Sequence, residues 1–531
     1  MATKPNKISS KYEDIISKSI VISSGSPVVY QMTPETEING TLRRITIGKK
    51  HPLKTNKTVL LVGETGTGKS TMINALVNYA MGVKWEDKVW FKIVQDEKRS
   101  QVHSQTSDVT VYEIFGFEGE ALDFSLTIID TPGYGDTRGK AHDAVVRQKL
   151  FDLFRSDDGV QEINAVGLVL KATENRVHDR LIRIFDSVVS LFGKDIEENI
   201  VALMTHSDGM PPKNALQAIL AANMKCAKNE KKQPVHFLFN NCQREERNED
   251  TEVPLENALR QTMRGMQRFS QFLGEAQPKK LKATVEVMKL RIQLTASIHN
   301  LQERIKSIEK SQVVIKNTQK ELKKHQSELE NDANFTIDTE EEYRELQHYG
   351  GGWSFSWLTV CKFDGVTRCT DCRENCHYPG CTIAWDASLC EVMSDGCCTV
   401  CSGRCSVSKH VKDDSRYVSK SRTVKKTLQD IKEKYEAKVG DLSSLLRVLQ
   451  KRKEEAEAEK TRCLEQAYQN VIKLDQIALS VQTMSTQAYL GVLIEKMKEK
   501  GDTEKVRKLE NIASKMDEGT KNLLSGVFDN Q

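Results

Sequence analysis

A glycine-rich segment directly after an apolar run limits most strictly what this 531-residue chain can fold into. The segment Gly63–Ser70 reads GETGTGKS, follows the run Val59–Val62 and precedes the helical-period segment Thr71–Tyr79. Its spacing fits G-x-x-x-x-G-K-[ST], in which backbone N–H groups and a helix N-terminus face phosphate oxygens. A strand, a loop and a helix in this order predict a site for a nucleoside triphosphate. A chance glycine-rich turn is the alternative, and both flanking segments count against it.

Two side chains of this loop have separate predicted roles. Lys69 can reach the β- and γ-phosphates, and the hydroxyl of Ser70 can bind Mg²⁺. The predicted nucleotide-binding residues of the loop are Gly63, Glu64, Thr65, Gly66, Thr67, Gly68, Lys69, Ser70 and Thr71.

The surrounding sequence predicts an α/β domain from residue 55 to residue 276. Apolar runs of strand length alternate with segments of helical period, and several runs are apolar at every position. This pattern predicts a mostly parallel sheet with helices on both faces. The predicted strands are Thr58–Val62, Leu126–Asp130, Ala165–Leu170, Ile200–Thr205 and Val235–Phe239. The predicted helices are Ser70–Tyr79, Arg180–Phe192 and Pro254–Phe272.

The second of these strands ends in Asp130-Thr131-Pro132-Gly133, a D-x-x-G pattern. The Asp130 carboxylate is placed to hold the Mg²⁺ shell, and the Gly133 N–H to contact the γ-phosphate. Because parallel strands end at one edge of a sheet, we expect this segment to lie beside the glycine-rich loop.

The last two predicted strands end in residues suited to a guanine base. The carboxylate of Asp208 can accept hydrogen bonds from N1–H and the exocyclic amine of guanine, but it would repel N1 of adenine. A donor in the Asn240–Asn241 pair can serve guanine O6. The predicted base-binding residues are Thr205, His206, Asp208, Asn240 and Asn241.

The segments GETGTGKST, IDTPGYGDT, THSD and FNN resemble the AIG1-type (immunity-associated) branch of the septin-like GTPases, over roughly Thr55–Glu275. The resemblance implies GTP or GDP as the ligand, with Mg²⁺, and a side chain at His206 that lies against the base. It also implies that Ser104–Ser107 is switch I, with Thr106 as a sensor of Mg²⁺ and the γ-phosphate. Thr110 is the alternative sensor, or an ordinary strand threonine.

The predicted catalytic residues are Lys69, Thr106 and Gly133. Tyr134 follows Gly133, where efficient GTPases of the Ras kind have a glutamine that orients water. We therefore expect slow hydrolysis in the monomer. The resemblance implies stimulation when two G domains pair as a homodimer. Arg138 is a candidate trans-acting residue, or a solvated loop charge.

Apolar residues recur every seven positions on both sides of a cysteine-rich insert. This pattern predicts a long α-helical coiled-coil hairpin with arms 277–348 and 413–483 and the insert at its tip, or a parallel coiled coil between two chains. The first run comprises Val287, Leu294, Leu301, Ile308, Ile315, Leu322 and Leu329. The second comprises Leu428, Tyr435, Leu442, Leu449, Ala456 and Cys463. Residues 1–54 are predicted to form a polar arm, and residues 484–531 short helices.

Ten of the thirteen cysteines lie between Cys361 and Cys405, in a predicted zinc module at residues 349–412. Two C-x-x-C pairs can grip a tetrahedral Zn²⁺, and the number of thiols allows two ions. A disulfide cluster and a reduced loop without metal are the alternatives. The candidate ligands are Cys369, Cys372, Cys376, His377, Cys381, Cys390, Cys398, Cys401 and Cys405. We expect this module to present a surface to an unidentified protein partner.

A net charge of +4 argues against nucleic acid as a partner. No apolar run approaches the roughly 20 residues of a membrane span. Because the ends MATKPNKISSKYED and VFDNQ carry no secretion or lipidation signal, we expect a cytoplasmic protein.

Three function classes fit such a chain. The first is a GTP-controlled assembly protein, and the second is a static scaffold with a structural nucleotide. A long-armed ATPase is the third, but Asp208 favours guanine and no ABC-type signature follows the glycine-rich loop.

Overall fold

The computed structural model divides the chain into two compact units. The first contains residues 1–288, 477–483 and 514–531, and the second contains residues 289–476 and 484–513. The structure describes residues 10–39, 42–95, 109–132, 140–156, 158–173, 189–221, 224–325, 327–328, 334, 336–348, 352–356, 359–381, 386–434, 442–479 and 484–514.

An eight-stranded sheet forms the centre of the first unit, with the strand order β12-β11-β10-β5-β8-β7-β4-β3. All neighbours run parallel except the pairs β7–β8 and β3–β4. The strands of this unit are β1 (Ile20–Ser23), β2 (Val28–Gln31), β3 (Glu35–Asn39), β4 (Leu42–Ile47), β5 (Asn56–Gly63), β6 (Val89–Lys92), β7 (Thr110–Ile114), β8 (Ser125–Asp130), β9 (Glu162–Ile163), β10 (Ala165–Lys171), β11 (Ile200–Thr205), β12 (His236–Leu238) and β13 (Lys279–Lys280). The mostly parallel sheet is therefore confirmed.

The helices of this unit follow the strands in the α/β order that the sequence predicts. They are α1 (Glu13–Ser17), α2 (Lys69–Ala80), α3 (Lys140–Arg155), α4 (Lys213–Ala221), α5 (Glu252–Glu275) and the start of α6 (Lys282–Lys324). Strands β8 and β11 are buried at every position, as expected of strands covered on both faces. Two predicted helices match α2 and α5, whereas most of the predicted helix Arg180–Phe192 lies outside the described residues.

The N-terminal segment is more ordered than the predicted polar arm. Strands β3 and β4 extend the large sheet, while β1 and β2 form a three-stranded sheet with β6. Asn78 of α2 holds this small sheet, because its side chain accepts from the Phe91 N–H and donates to the Phe91 carbonyl. Val29 and Tyr30 are buried in the same core. The burial of their apolar surface offsets the conformational entropy that this polar segment loses when it becomes ordered.

Two long helices of the second unit pack antiparallel within one chain. Helix α6 meets α8 where Lys460 pairs with Glu309 at 3.8 Å, and Ile315 and Leu322 pack with Leu445 further along. The helices of this unit are the rest of α6, α7 (Leu428–Lys434), α8 (Leu442–Ile477), α9 (Met484–Lys500) and the helical residues 503–513. None of the described helices is long and apolar enough to cross a membrane.

The outer parts of the two predicted coiled-coil arms are strands, so the prediction was wrong there. The strands of this unit are β14 (Thr336–His348), β15 (Gly352–Ser356), β16 (Thr359–Cys369), β17 (Glu374–Cys381), β18 (Met393–Ser394), β19 (Cys397–Cys398), β20 (His410–Asp413) and β21 (Ser415–Thr427). Strands β14 and β21 pair over their full lengths. The acidic β14 faces the basic β21, with Glu345 paired to Lys420 and Glu341 to Arg422.

The cysteine-rich insert does not lie at the tip of the helix pair, which corrects the predicted hairpin. The β14–β21 ribbon runs back along α6, with Thr339 beside Thr318 at 3.1 Å. It brings the insert against the N-terminal half of α6, where Asn300 donates to the Asn375 carbonyl at 3.2 Å. From α8, Gln466 donates to the Thr399 carbonyl at 2.6 Å.

Candidate functional site

The glycine-rich loop joins the end of β5 to the start of α2. Gly66 and Gly68 have φ angles of +82° and +93°, in the left-handed region that side chains rarely adopt. A Cβ on Gly63 would lie 2.3 Å from the Val169 carbonyl oxygen. Glycine is therefore required at these positions, which leaves the loop backbone open to phosphate.

The side chain of Lys69 curls over its own loop. Its ammonium donates to the Gly63 carbonyl at 2.9 Å and to the Glu64 carbonyl at 3.1 Å. Lys69 is only 7% exposed, and burial lowers its pKa to about 8. The negative charge of Asp130 acts in the opposite direction and raises the pKa, but burial has the larger effect. A phosphate could replace the two carbonyls as the partner of this ammonium.

Asp130 provides the clearest sign of a cation site. The residue is fully buried at the end of β8, and neither carboxylate oxygen has a hydrogen-bond partner among the described residues. Burial raises its pKa to about 7, although the nearby Lys69 charge favours the ionised form. A buried carboxylate with free lone pairs is suited to a hard cation, so Asp130 and Ser70 fit Mg²⁺.

The end of β11 is hydrogen-bonded to the glycine-rich loop. The Thr205 hydroxyl donates to the Thr67 carbonyl at 2.6 Å and lies 3.0 Å from His206 Nδ1. Burial, followed by the charge of Lys171, lowers the pKa of His206, which favours a neutral ring that could lie against a base. Asp208 is exposed beyond them, where one oxygen accepts from the Met210 N–H at 2.8 Å.

The Asn240–Asn241 pair lies beside this strand. The Ser207 N–H donates to the Phe239 carbonyl at 3.0 Å, which joins the two loops. From α5, the Thr262 hydroxyl lies 3.1 Å from Asn241 Oδ1 and accepts from the Asn240 N–H at 3.0 Å. Thr262 is a positioning residue that the sequence did not reveal, because nothing local connects residue 262 to residue 240.

Several predicted site residues lie outside the described part of the chain. They are Thr106, Gly133, Tyr134 and Arg138. The alternative sensor Thr110 is buried in β7 directly across from Asp130. The remaining loop residues Glu64, Thr65, Gly66, Thr67, Ser70 and Thr71 lie around the turn or in the first turn of α2.

A second candidate site lies in the cysteine-rich insert, where the predicted ligands come together in three groups. The first group is Cys369, Cys372, Cys401 and Cys405. The second is Cys376, Cys398, Cys401 and His410, and the third is His377, Cys381 and Cys390. Within each group the ligand atoms lie within 4.8 Å of one another. His410 was missed, because a single histidine after the last cysteine forms no spacing motif.

Sulfur–sulfur distances in these groups fit a shared metal. Cys372 and Cys405 are 3.5 Å apart, and Cys381 and Cys390 are 3.6 Å apart. Two sulfur atoms on a tetrahedral Zn²⁺ lie about 3.8 Å apart, whereas a disulfide holds them at about 2.05 Å. Cys397 is exposed and outside all three groups, and the side chain of Cys361 is not among those described.

Residues 57–264 match the AIG1 family. Over 168 residues the chain is 28% identical to human Septin-4 and 29% identical to human Septin-5, which covers 29% of this chain in each case. The chain spans 32% of the length of the first relative and 41% of the second.

Among solved structures, Arabidopsis thaliana Toc33 in complex with Mg²⁺ and GMPPNP is 20% identical, with a TM-score of 0.30. The match covers 42% of this chain and 88% of the Toc33 chain. Toc33 with GDP and Mg²⁺ is 17% identical, with a TM-score of 0.28 and coverage of 42% and 87%.

Proposed function

We propose that residues 57–264, which form an AIG1-type P-loop GTPase domain, bind GTP with Mg²⁺ and hydrolyse it slowly in the monomer. Asp130 carries this proposal, because a fully buried carboxylate without a hydrogen-bond partner among the described residues is costly unless a cation binds it. Mg²⁺ supplies charge neutralisation for the β- and γ-phosphates. Lys69 and the loop N–H groups orient the same phosphates.

Guanine is the proposed base because of the side chains that follow strands β11 and β12. The Asp208 carboxylate can accept two hydrogen bonds from guanine, and adenine offers an acceptor at the equivalent ring nitrogen. His206 lies close to Gly68 and burial lowers its pKa, which supports contact between its imidazole and the ring face. The Asn240–Asn241 pair, held by Thr262, supplies donors for O6.

Two G domains are proposed to pair and to accelerate hydrolysis. In sequence, Tyr134 occupies the position where a water-orienting glutamine would follow the D-x-x-G pattern. A second copy could supply the missing group, and Arg138 is the candidate. The protein would then act as a cytoplasmic, nucleotide-controlled assembly scaffold, with the second unit contacting a protein partner. A static scaffold with a structural nucleotide is the alternative.

The cysteine-rich insert is proposed to hold Zn²⁺ for structural reasons. Most of its ligands are buried, with Cys372 and Cys405 partly buried, and it contains few aliphatic residues for a core of its own. Metal binding would therefore supply much of its folding free energy.

Calorimetry of the full chain with GTP, GDP and ATP, with and without Mg²⁺, tests nucleotide choice. We expect GTP to bind at least about a hundredfold more tightly than ATP. Phosphate release per chain, measured over a range of protein concentrations, should rise with concentration and parallel a dimer mass in light scattering with GTPγS. Preference for ATP would reject the proposal. Absence of turnover with nucleotide retained would favour the static scaffold.

A further inference from the structure

We propose that the cysteine-rich insert binds three metal ions with the chemistry of Zn²⁺, and that two of them share the thiolate of Cys401. This inference rests on the proposed zinc binding and adds its stoichiometry and its ligand arrangement. The third ion has a separate set of ligands.

A count of ligands requires the shared thiolate. Cys401 belongs to two groups whose atoms converge, one with Cys369, Cys372 and Cys405, and one with Cys376, Cys398 and His410. These are seven side chains, whereas two tetrahedral ions need eight ligand positions. A thiolate has more than one lone pair, so Cys401 can occupy one position on each ion.

His410 is an independent sign that the second group holds a metal. Its Nδ1 lies 2.9 Å from the Ser406 carbonyl, which fixes the proton on that nitrogen and leaves the lone pair on Nε2. The residue is 7% exposed, and Nε2 has no hydrogen-bond partner among the described residues. A buried imidazole in one group with three cysteine sulfurs is arranged as a ligand.

Backbone N–H groups favour the thiolate form of the ligands. The Cys372 N–H donates to Cys369 Sγ at 3.4 Å, and the Cys401 N–H donates to Cys398 Sγ at 3.4 Å. Cys401 Sγ in turn accepts from the Cys405 N–H at 3.3 Å. Such bonds offset part of the negative charge that six thiolates place around two divalent ions.

The third ion would lie between His377, Cys381 and Cys390. His377 Nδ1 is 3.2 Å from Cys390 Sγ, close to the separation expected for two ligands of one tetrahedral ion. Glu391 Oε2 lies 3.6 Å from the same nitrogen, but Glu391 is outside the converging group, so we assign three side chains as ligands of this ion. All three side chains are buried. The fourth position would be open to a small exogenous ligand.

Native mass spectrometry of the full chain, loaded with Zn²⁺ alone under reducing conditions, counts the ions. We expect three per chain, two in C390S and three in C397S, whose thiol is exposed and outside every group. C381S should likewise hold two ions, because Cys381 belongs to the same group as Cys390.

The ¹¹³Cd NMR spectrum of the cadmium-loaded wild-type chain tests the bridge without a mutation. We expect two resonances split by mutual scalar coupling through one sulfur, and a third that is unsplit. The coupled pair should persist in C390S. Three unsplit resonances would overturn the inference, as would only two resonances without coupling. Either result would leave the proposed zinc binding itself intact. A wild-type chain that retains no metal would overturn zinc binding itself.

Discussion

The hydroxyl of Thr205 donates a hydrogen bond of 2.6 Å to the carbonyl of Thr67, so the end of β11 is fixed to the glycine-rich loop. T205V removes this bond and leaves a buried carbonyl without its donor, which costs about 1–3 kcal/mol. We expect GDP affinity to fall about tenfold, measured by calorimetry. T205S keeps the hydroxyl and should bind GDP nearly as well as the wild type. Equal loss in both variants would contradict the role of the bond.

Replacing Lys69 should separate triphosphate from diphosphate binding. K69A removes a charge-assisted contact to the β- and γ-phosphates, worth about 1.5–3 kcal/mol. Fluorescence titration should show GTP affinity lowered about 10–100-fold and GDP affinity lowered less. K84A, on an exposed lysine outside the loop, is the matched control. Unchanged GTP affinity in K69A would contradict the assignment of the site.

Asp208 should set the choice of base. D208N exchanges a carboxylate acceptor for an amide that can donate to the C2 carbonyl of xanthine. We expect GTP affinity to fall about a hundredfold and XTP affinity to rise, in competition titrations. D250N alters an exposed carboxylate on another loop and should change neither. A variant that loses both nucleotides equally would indicate a folding defect, which thermal unfolding would reveal.

A buried ion pair connects α6 to the cysteine-rich insert. Arg304 is 6% exposed and pairs with the equally buried Glu374 at 3.7 Å, and also with Glu459 of α8. R304L leaves the Glu374 charge unpaired and should reduce the free energy of unfolding of the second unit by about 3–5 kcal/mol. R260L breaks the exposed pair with Glu256 and should cost at most about 1 kcal/mol. Denaturant melts of both variants provide the comparison.

Removal of metal should destabilise one unit selectively. A chelator with a thiol reductant takes the ions from the buried thiolates, so the melting temperature of the second unit should fall by about 10 °C or more. Calorimetric scans with added GDP identify the transition of the first unit, which should rise with nucleotide. If the chelator leaves the melting temperatures of both transitions unchanged, the insert holds no structural metal.

The strand, loop and helix around the glycine-rich segment could be predicted from sequence, because the motif is local and begins where a buried strand ends. Asp130 and Asp208 needed only the rule that parallel strands finish at one edge. Thr262 could not be found because its partner Asn240 is 22 positions away, and His410 could not be found because a single histidine forms no spacing motif. The β14–β21 ribbon was mistaken for helix because the predicted arms were extended beyond the heptad positions Leu329 and Leu428, as far as the insert. The ion pair between Glu341 and Arg422, which lie directly opposite each other, emerges only once the two strands are aligned.

The curled conformation of Lys69 has a consequence for how ligands enter. With its ammonium already bonded to two carbonyls of the loop, the cation is occupied until an anion competes for it. A nucleoside without phosphates has no anion to displace these two carbonyls, so Lys69 would stay bonded to its own loop whatever the base. The negative charge of the phosphates is therefore needed before the base can contribute to binding. Free guanosine should bind far more weakly than the contacts of its base alone would suggest.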